Sequence, residues 1–89
     1  MATPSSTITE DQIRAEVKRL IAEITEREPE EISDNASFGD DGLGIDSLTG
    51  MEIMLAIDVK LKTNLPDQEF AKVKSVNDVV ALVQQHLPQ

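Results

Sequence analysis

The chain has 89 residues, 17 acidic against 8 basic side chains, a formal charge of -9 and no cysteine. That length holds one domain with one modest core, and the missing thiols exclude disulfides, thiolate metal sites and a cysteine nucleophile. The negative charge repels nucleic acid and anionic lipid and favours partners with basic surfaces.

Residues 1–7 are small and polar, with neither a basic n-region nor an apolar h-region, and predict a disordered tail ahead of a folded unit over residues 8–87. No apolar run approaches membrane-spanning length, so a cytoplasmic protein that binds no membrane is expected. Thr9 with Gln12 three residues on forms a capping-box pattern. Ile13, Val17, Leu20, Ile21 and Ile24 then recur at one-face helical spacing, which predicts a first helix over residues 9–27. Its charged side chains, Arg14, Glu16, Lys18, Arg19, Glu23 and Glu26, read as a solvated face.

Pro29 stops that helix, and residues 28–46 are acidic and broken by Gly39, Gly42 and Gly44, which predicts a long loop. Connections of this length are unusual in a small domain unless functional or anchored. Ile32, Ala36, Phe38 and Leu43 are the anchors expected to dip into the core. A second helix is expected over residues 47–62, with Leu48, Met51, Met54, Leu55 and Leu61 available to the core. Ile53, Ile57 and Val59 widen its apolar arc, which fits either burial on several sides or a face kept for a partner.

Thr63, Asn64 and Pro66 break this helix, and residues 67–73 leave room for one short helix anchored by Phe70 and Val73. Ser75 with Asp78 is a capping-box variant opening a last helix, where Val76, Val79, Val80, Val83 and Leu87 line one face and Pro88 is the stop. With Phe38 and Phe70 the only aromatic residues, the core has to be aliphatic. The fold class is all-α, a small four-helix bundle of three main helices and one short one.

The chemistry concentrates where Gly39, Asp40, Asp41, Gly42, Leu43, Gly44, Ile45 and Asp46 lead into Ser47 and Leu48. Three glycines and an acid ahead of a serine at a helix start place one hydroxyl on an exposed corner open to another protein. There the helix dipole favours negative charge, so a phosphate ester on Ser47 would sit well. The plainer alternative is that Asp46 or Ser47 only caps the helix. A calcium loop lacks its alternating oxygen ligands, since Leu43 and Ile45 stand where Asp or Asn is needed. A serine nucleophile lacks a base, because the one histidine, His86, stands near the C-terminus.

Asp46-Ser47-Leu48 within Leu43-Gly44-Ile45-Asp46-Ser47-Leu48 resembles the attachment motif of the acyl carrier proteins, a family of phosphopantetheine-binding carriers. Phe38, Asp41, Glu52, Pro66 and the run from Ser75 to Val80 also fall where that family has counterparts, so the likeness spans residues 8–87. The resemblance implies 4'-phosphopantetheine, taken from coenzyme A by a phosphopantetheinyl transferase and bound covalently at Ser47, with acyl or polyketide intermediates riding on the thiol at its end. It implies a carrier that catalyses nothing. Asp46 would orient the serine and with Leu48 flank the cofactor, while Ile45, Leu48, Met51, Glu52 and Leu55 would contact partners. Those partners would be a ketosynthase, an acyltransferase or other acyl-processing enzymes with basic surfaces, the carrier itself being monomeric and freestanding, with no nucleic acid bound.

Two departures bear on partner choice. The approach to Ser47 is one residue longer than in fatty-acid carriers, at Gly42, and Lys60 and Lys62 stand where acids are usual. By segment, residues 9–27, 28–46, 47–62 and 63–89 carry -1, -7, 0 and -1, so the acidity lies ahead of the serine and not along the second helix. These departures lead us to expect a polyketide or other specialised pathway ahead of fatty-acid synthesis. A peptidyl or aminoacyl carrier is the near rival, and an acidic helical adaptor without a prosthetic group is the rival from another class.

Overall fold

Thr9 opens the first helix as the capping pattern requires. Its hydroxyl accepts from the Gln12 amide at 3.1 Å, and the Gln12 side chain accepts from the Thr9 amide at 2.9 Å. In the computed structural model, which describes residues 8–87, the helix α1 accordingly runs Glu10–Thr25. The expected tail at residues 1–7 and Pro88 lie outside the described residues. At its other end α1 stops two residues short of the expected boundary, because Glu26 turns left-handed at φ 59° and the Arg27 amide reaches back to the Ala22 carbonyl at 2.8 Å.

Ile13, Val17, Leu20 and Ile21 are buried as their spacing predicts, joined by Ala22, while Ile24 is half-buried. This stripe packs α1 against both α2, Ser47–Leu61, and α4, Val76–His86. α1 is thus the central element of the bundle.

The loop is more ordered than its composition predicts. Pro29–Glu31 winds one 3-10 turn, and Ile32, Phe38 and Leu43 are buried anchors, with Ala36 half-buried. Main-chain bonds fasten the rest: Phe38 donates to the Lys74 carbonyl at 2.9 Å, and Val76 donates to the Ala36 carbonyl at 3.1 Å. Residues 36–38 thereby form a single antiparallel bridge with residues 74–76, and the chain entering α4 holds the chain approaching α2. A polar cross-link repeats the connection, since Asn77 donates to Asn35 at 2.6 Å and Arg14 of α1 donates to Asn77.

Helix α2, Ser47–Leu61, corrects the expected core. Ile53, Met54 and Ile57 are its buried residues, and Leu61 is half-buried. Leu48, Met51 and Leu55 are exposed. The sequence offers two apolar stripes at helical spacing, and periodicity alone does not say which of them meets α1.

Asp58 closes α2, its carboxylate accepting from the Thr63 hydroxyl at 2.7 Å and from the Leu65 amide at 3.0 Å. Those bonds seat Leu65 in the core. The short helix α3 is Asp67–Phe70, with Phe70 buried and Val73 half-buried. Ser75 caps α4, Val76–His86, by accepting from the Asp78 amide at 3.3 Å. Asp78 answers by accepting from the Lys74 amide, one residue ahead of the usual box position. Val76, Val79, Val80 and Val83 are buried together with Leu82, and Leu87 is half-buried. No polar or charged side chain is buried among the described residues, so the core is aliphatic apart from Phe38 and Phe70.

Candidate functional site

Ser47 is the first residue of α2 and is exposed. It does not cap the helix. Asp46 does, its carboxylate accepting from the Thr49 amide at 2.8 Å. That hydrogen bond, followed by one with the Thr49 side chain, holds the Asp46 carboxyl below its ordinary value. The carboxylate therefore grips the helix end, and it positions the serine through the backbone rather than by holding the hydroxyl. The Ser47 hydroxyl bonds no other described side chain and projects at the positive end of the helix dipole. An exposed hydroxyl there suits a phosphodiester, whose charge the terminal N–H groups favour.

Gly42 and Gly44, ahead of Ser47, serve the loop's own path. A Cβ on Gly42 would come within 2.3 Å of the Ser37 carbonyl oxygen, because the Leu43 amide folds back to that same oxygen at 2.7 Å. Gly44 has φ +63°, a region open to glycine at little cost. Its amide and that of Gly42 both donate to the Gly39 carbonyl, at 2.8 and 2.9 Å. Ile45 then donates to the Phe38 carbonyl at 2.8 Å. Hydrogen bonds thus run from the start of α4 through Phe38 to the residue two before Ser47.

Beside Ser47 opens a groove of about 250 Å³, walled by Phe38, Ile45, Gly50, Met51, Phe70 and Val73. Ile45 is half-buried against the core and faces this groove, so it is less available to a partner than its position before Ser47 implies. Gly50, Phe70 and Val73 join the site unforeseen. Gly50 comes from α2, while Phe70 and Val73 come from the segment 67–73, and nothing local in the sequence connects the two.

Leu48, Met51 and Leu55, expected at a partner surface, are exposed along one side of α2, at 72%, 42% and 55%. Val59 extends the stripe and is 80% exposed, while Glu52 is exposed beside it. His86 stands apart from this face, its Nε2 3.6 Å from the Glu69 carboxylate. No helix among the described residues is long and apolar enough to cross a membrane.

A family described as the phosphopantetheine attachment site matches residues 15–83. The acyl carrier protein of Rickettsia bellii is 40% identical over 76 residues, covering 85% of this chain and 87% of that protein. The acyl carrier protein of Rhodococcus erythropolis is 38% identical over 76 residues, 85% of this chain and 82% of the other. The meromycolate extension acyl carrier protein of Mycobacterium tuberculosis is 40% identical over 77 residues, 86% of this chain and 66% of the other.

Proposed function

The chain belongs to the acyl carrier proteins, which bear phosphopantetheine and catalyse nothing themselves, and on that premise we propose that Ser47 is the attachment residue and that the cargo is an acyl or polyketide intermediate of a specialised pathway. The observation that carries the assignment is the exposed Ser47 hydroxyl at the first turn of α2, immediately after an aspartate cap.

When bound, the group supplies the thiol that this cysteine-free chain lacks, on which acyl groups are carried as thioesters. The protein's residues do the rest. Asp46 fixes the helix end so that the serine is presented to a transferase, and the end of α2 receives the phosphate charge. The exposed side of α2, with Leu48, Met51, Glu52 and Leu55, meets the partner enzymes. Delivering a tethered substrate raises its effective concentration at each of them.

The partners proposed are a phosphopantetheinyl transferase and, among the acyl-processing enzymes, a ketosynthase and an acyltransferase whose surfaces near Ser47 are basic. Asp40, Asp41 and Asp46 supply the exposed acids opposite them. Lys60 and Lys62 support a specialised pathway over housekeeping fatty-acid synthesis, and among the relatives one is named for extension of meromycolate while others are named acyl carrier protein alone.

Incubation with coenzyme A and a promiscuous transferase tests the site. Intact mass should rise by one phosphopantetheine, and Ser47→Ala should gain none while keeping its helical circular dichroism. Modification of the alanine variant would refute the assignment.

A further inference from the structure

We propose that the exposed face of α2 docks a protein surface whose charge reverses along its length, basic where it meets the Ser47 end and acidic where it meets Lys60 and Lys62. The apolar stripe Leu48, Met51, Leu55, Val59 advances in steps of three and four along one side of the helix, opposite the buried Ile53 and Ile57. Fifteen residues make α2 about 22 Å long, enough for the two ends of the stripe to meet different parts of one partner.

The ends differ in sign. Exposed Asp40, Asp41 and Asp46 lie in the approach to Ser47, with Glu52 a turn and a half beyond it. Lys60 and Lys62 are exposed at the far end, and neither forms an ion pair among the described residues. Asp58, the acid nearest to them in sequence, accepts from Thr63 and Leu65 and pairs with neither lysine. Lysines near a helix C-terminus also suit the helix dipole. That accounts for their charge but not for Val59, the most exposed of the large apolar side chains among the described residues, at the same end of the helix as both lysines. A uniformly basic partner would gain at one end and be repelled at the other, whereas a charge-reversing one gains at both and can dock in one direction only.

The inference rests on the carrier reading in taking this face as functional. Its test uses the unmodified protein, so it is decided separately from modification at Ser47. Two synthetic amphipathic helical peptides share one leucine face and one composition, with lysines and glutamates segregated into opposite halves in the first and interleaved in the second. Each is titrated at low salt into isotopically labelled protein, and amide shifts along α2 are followed by NMR. The segregated peptide should bind about fivefold more tightly, the scale of a few exposed charge pairs, and high salt should erase the difference. A nitroxide on its lysine half should broaden the Leu48 and Met51 amides and spare those of Val59 and Lys60. In the double variant Lys60→Glu, Lys62→Glu, whose helicity is checked by circular dichroism, the preference should vanish. Equal binding of the two peptides, broadening at both ends of α2, or no shifts along α2 with either peptide overturns the proposal.

Discussion

The Ser37 carbonyl oxygen occupies the space that any side chain on Gly42 would need, 2.3 Å from where its Cβ would stand. Steric exclusion is the reason for glycine here, whereas at Gly44 the reason is backbone conformation, with φ +63° and open space around the Cβ position. Gly42→Ala should therefore cost more, about 1–3 kcal/mol as for overpacking, against about 1 kcal/mol for Gly44→Ala. Thermal melts of the two variants compare them directly, and the reverse order would show that the loop relaxes around residue 42.

Asp46 gives the site a pH dependence with a definite sign. Its folded-state acidity is strengthened by the Thr49 hydrogen bond, so the cap's contribution is fully present above the ordinary carboxylate value and is lost as pH falls through the lower folded value. Asparagine caps about as well as aspartate but does not titrate. The melting temperature of the native protein relative to Asp46→Asn should be flat from neutral pH down to the ordinary carboxylate range and fall below it. Asp46→Ala should lower the melting temperature at neutral pH. A native melting temperature that rises relative to that of Asp46→Asn on acidification would be incompatible with this cap.

Two non-glycine residues in left-handed conformation, Glu26 and Lys62, end α1 and α2 at φ 59° each. Glycine accepts that conformation without the Cβ penalty, and at Glu26 it also removes a negative charge from the negative end of a helix dipole. Glu26→Gly should stabilise by up to about 1 kcal/mol and Lys62→Gly by less, since Lys62 suits its dipole end. Denaturant titration reads both. Destabilisation by Glu26→Gly would overturn this account of the helix end.

Local signals in the sequence were sufficient wherever one pattern had one solution. Thr9, Ser75 and the valines of α4 sit where capping chemistry and spacing put them, and α2 starts at Ser47 as expected, with the cap, left open between Asp46 and Ser47, falling to Asp46. What could not be read was relational. Leu48, Met51 and Leu55 looked as fit for the core as Ile53 and Ile57, because α2 carries two apolar stripes and only its packing on α1 selects one. The bridge between Ser37 and Ser75 joins residues far apart in the chain with no side-chain signature, so the loop's order and the groove beside Ser47 were invisible.

The loop's seven acids have no basic residue among them in sequence, but the fold brings Lys18 to Asp34 and lays Arg27 against the Leu43 carbonyl at 3.2 Å. The Lys18 hydrogen bond holds the Asp34 carboxyl below its ordinary pKa, so Asp34 is stabilising while charged. The remaining acids still repel one another across solvent. Sodium chloride should raise the melting temperature at neutral pH, Asp40→Asn should flatten that rise, and Asp34→Asn should lower the low-salt melting point because it removes an attraction. A melting point indifferent to salt would sink this account, as would a higher one for Asp34→Asn.

The choice of pathway turns on the lysines at the end of α2. Enzymes that read a carrier through a uniformly basic surface gain from acids along that helix, whereas here its net charge is zero and Lys60 and Lys62 are exposed. Rim charges act mainly on association rate and on exclusion of wrong partners, at about 1 kcal/mol or less per exposed contact. Once phosphopantetheine is attached, the protein should be a poor substrate for a housekeeping fatty-acid ketosynthase, and Lys60→Glu with Lys62→Glu should raise kcat/KM severalfold at low salt and less at high salt. Because neither lysine touches the reacting groups, the gain should lie in kcat/KM with kcat at saturation unchanged. If the unaltered protein already matches a housekeeping carrier in that assay, the specialised-pathway reading fails, while the attachment at Ser47 is judged by the mass measurement alone.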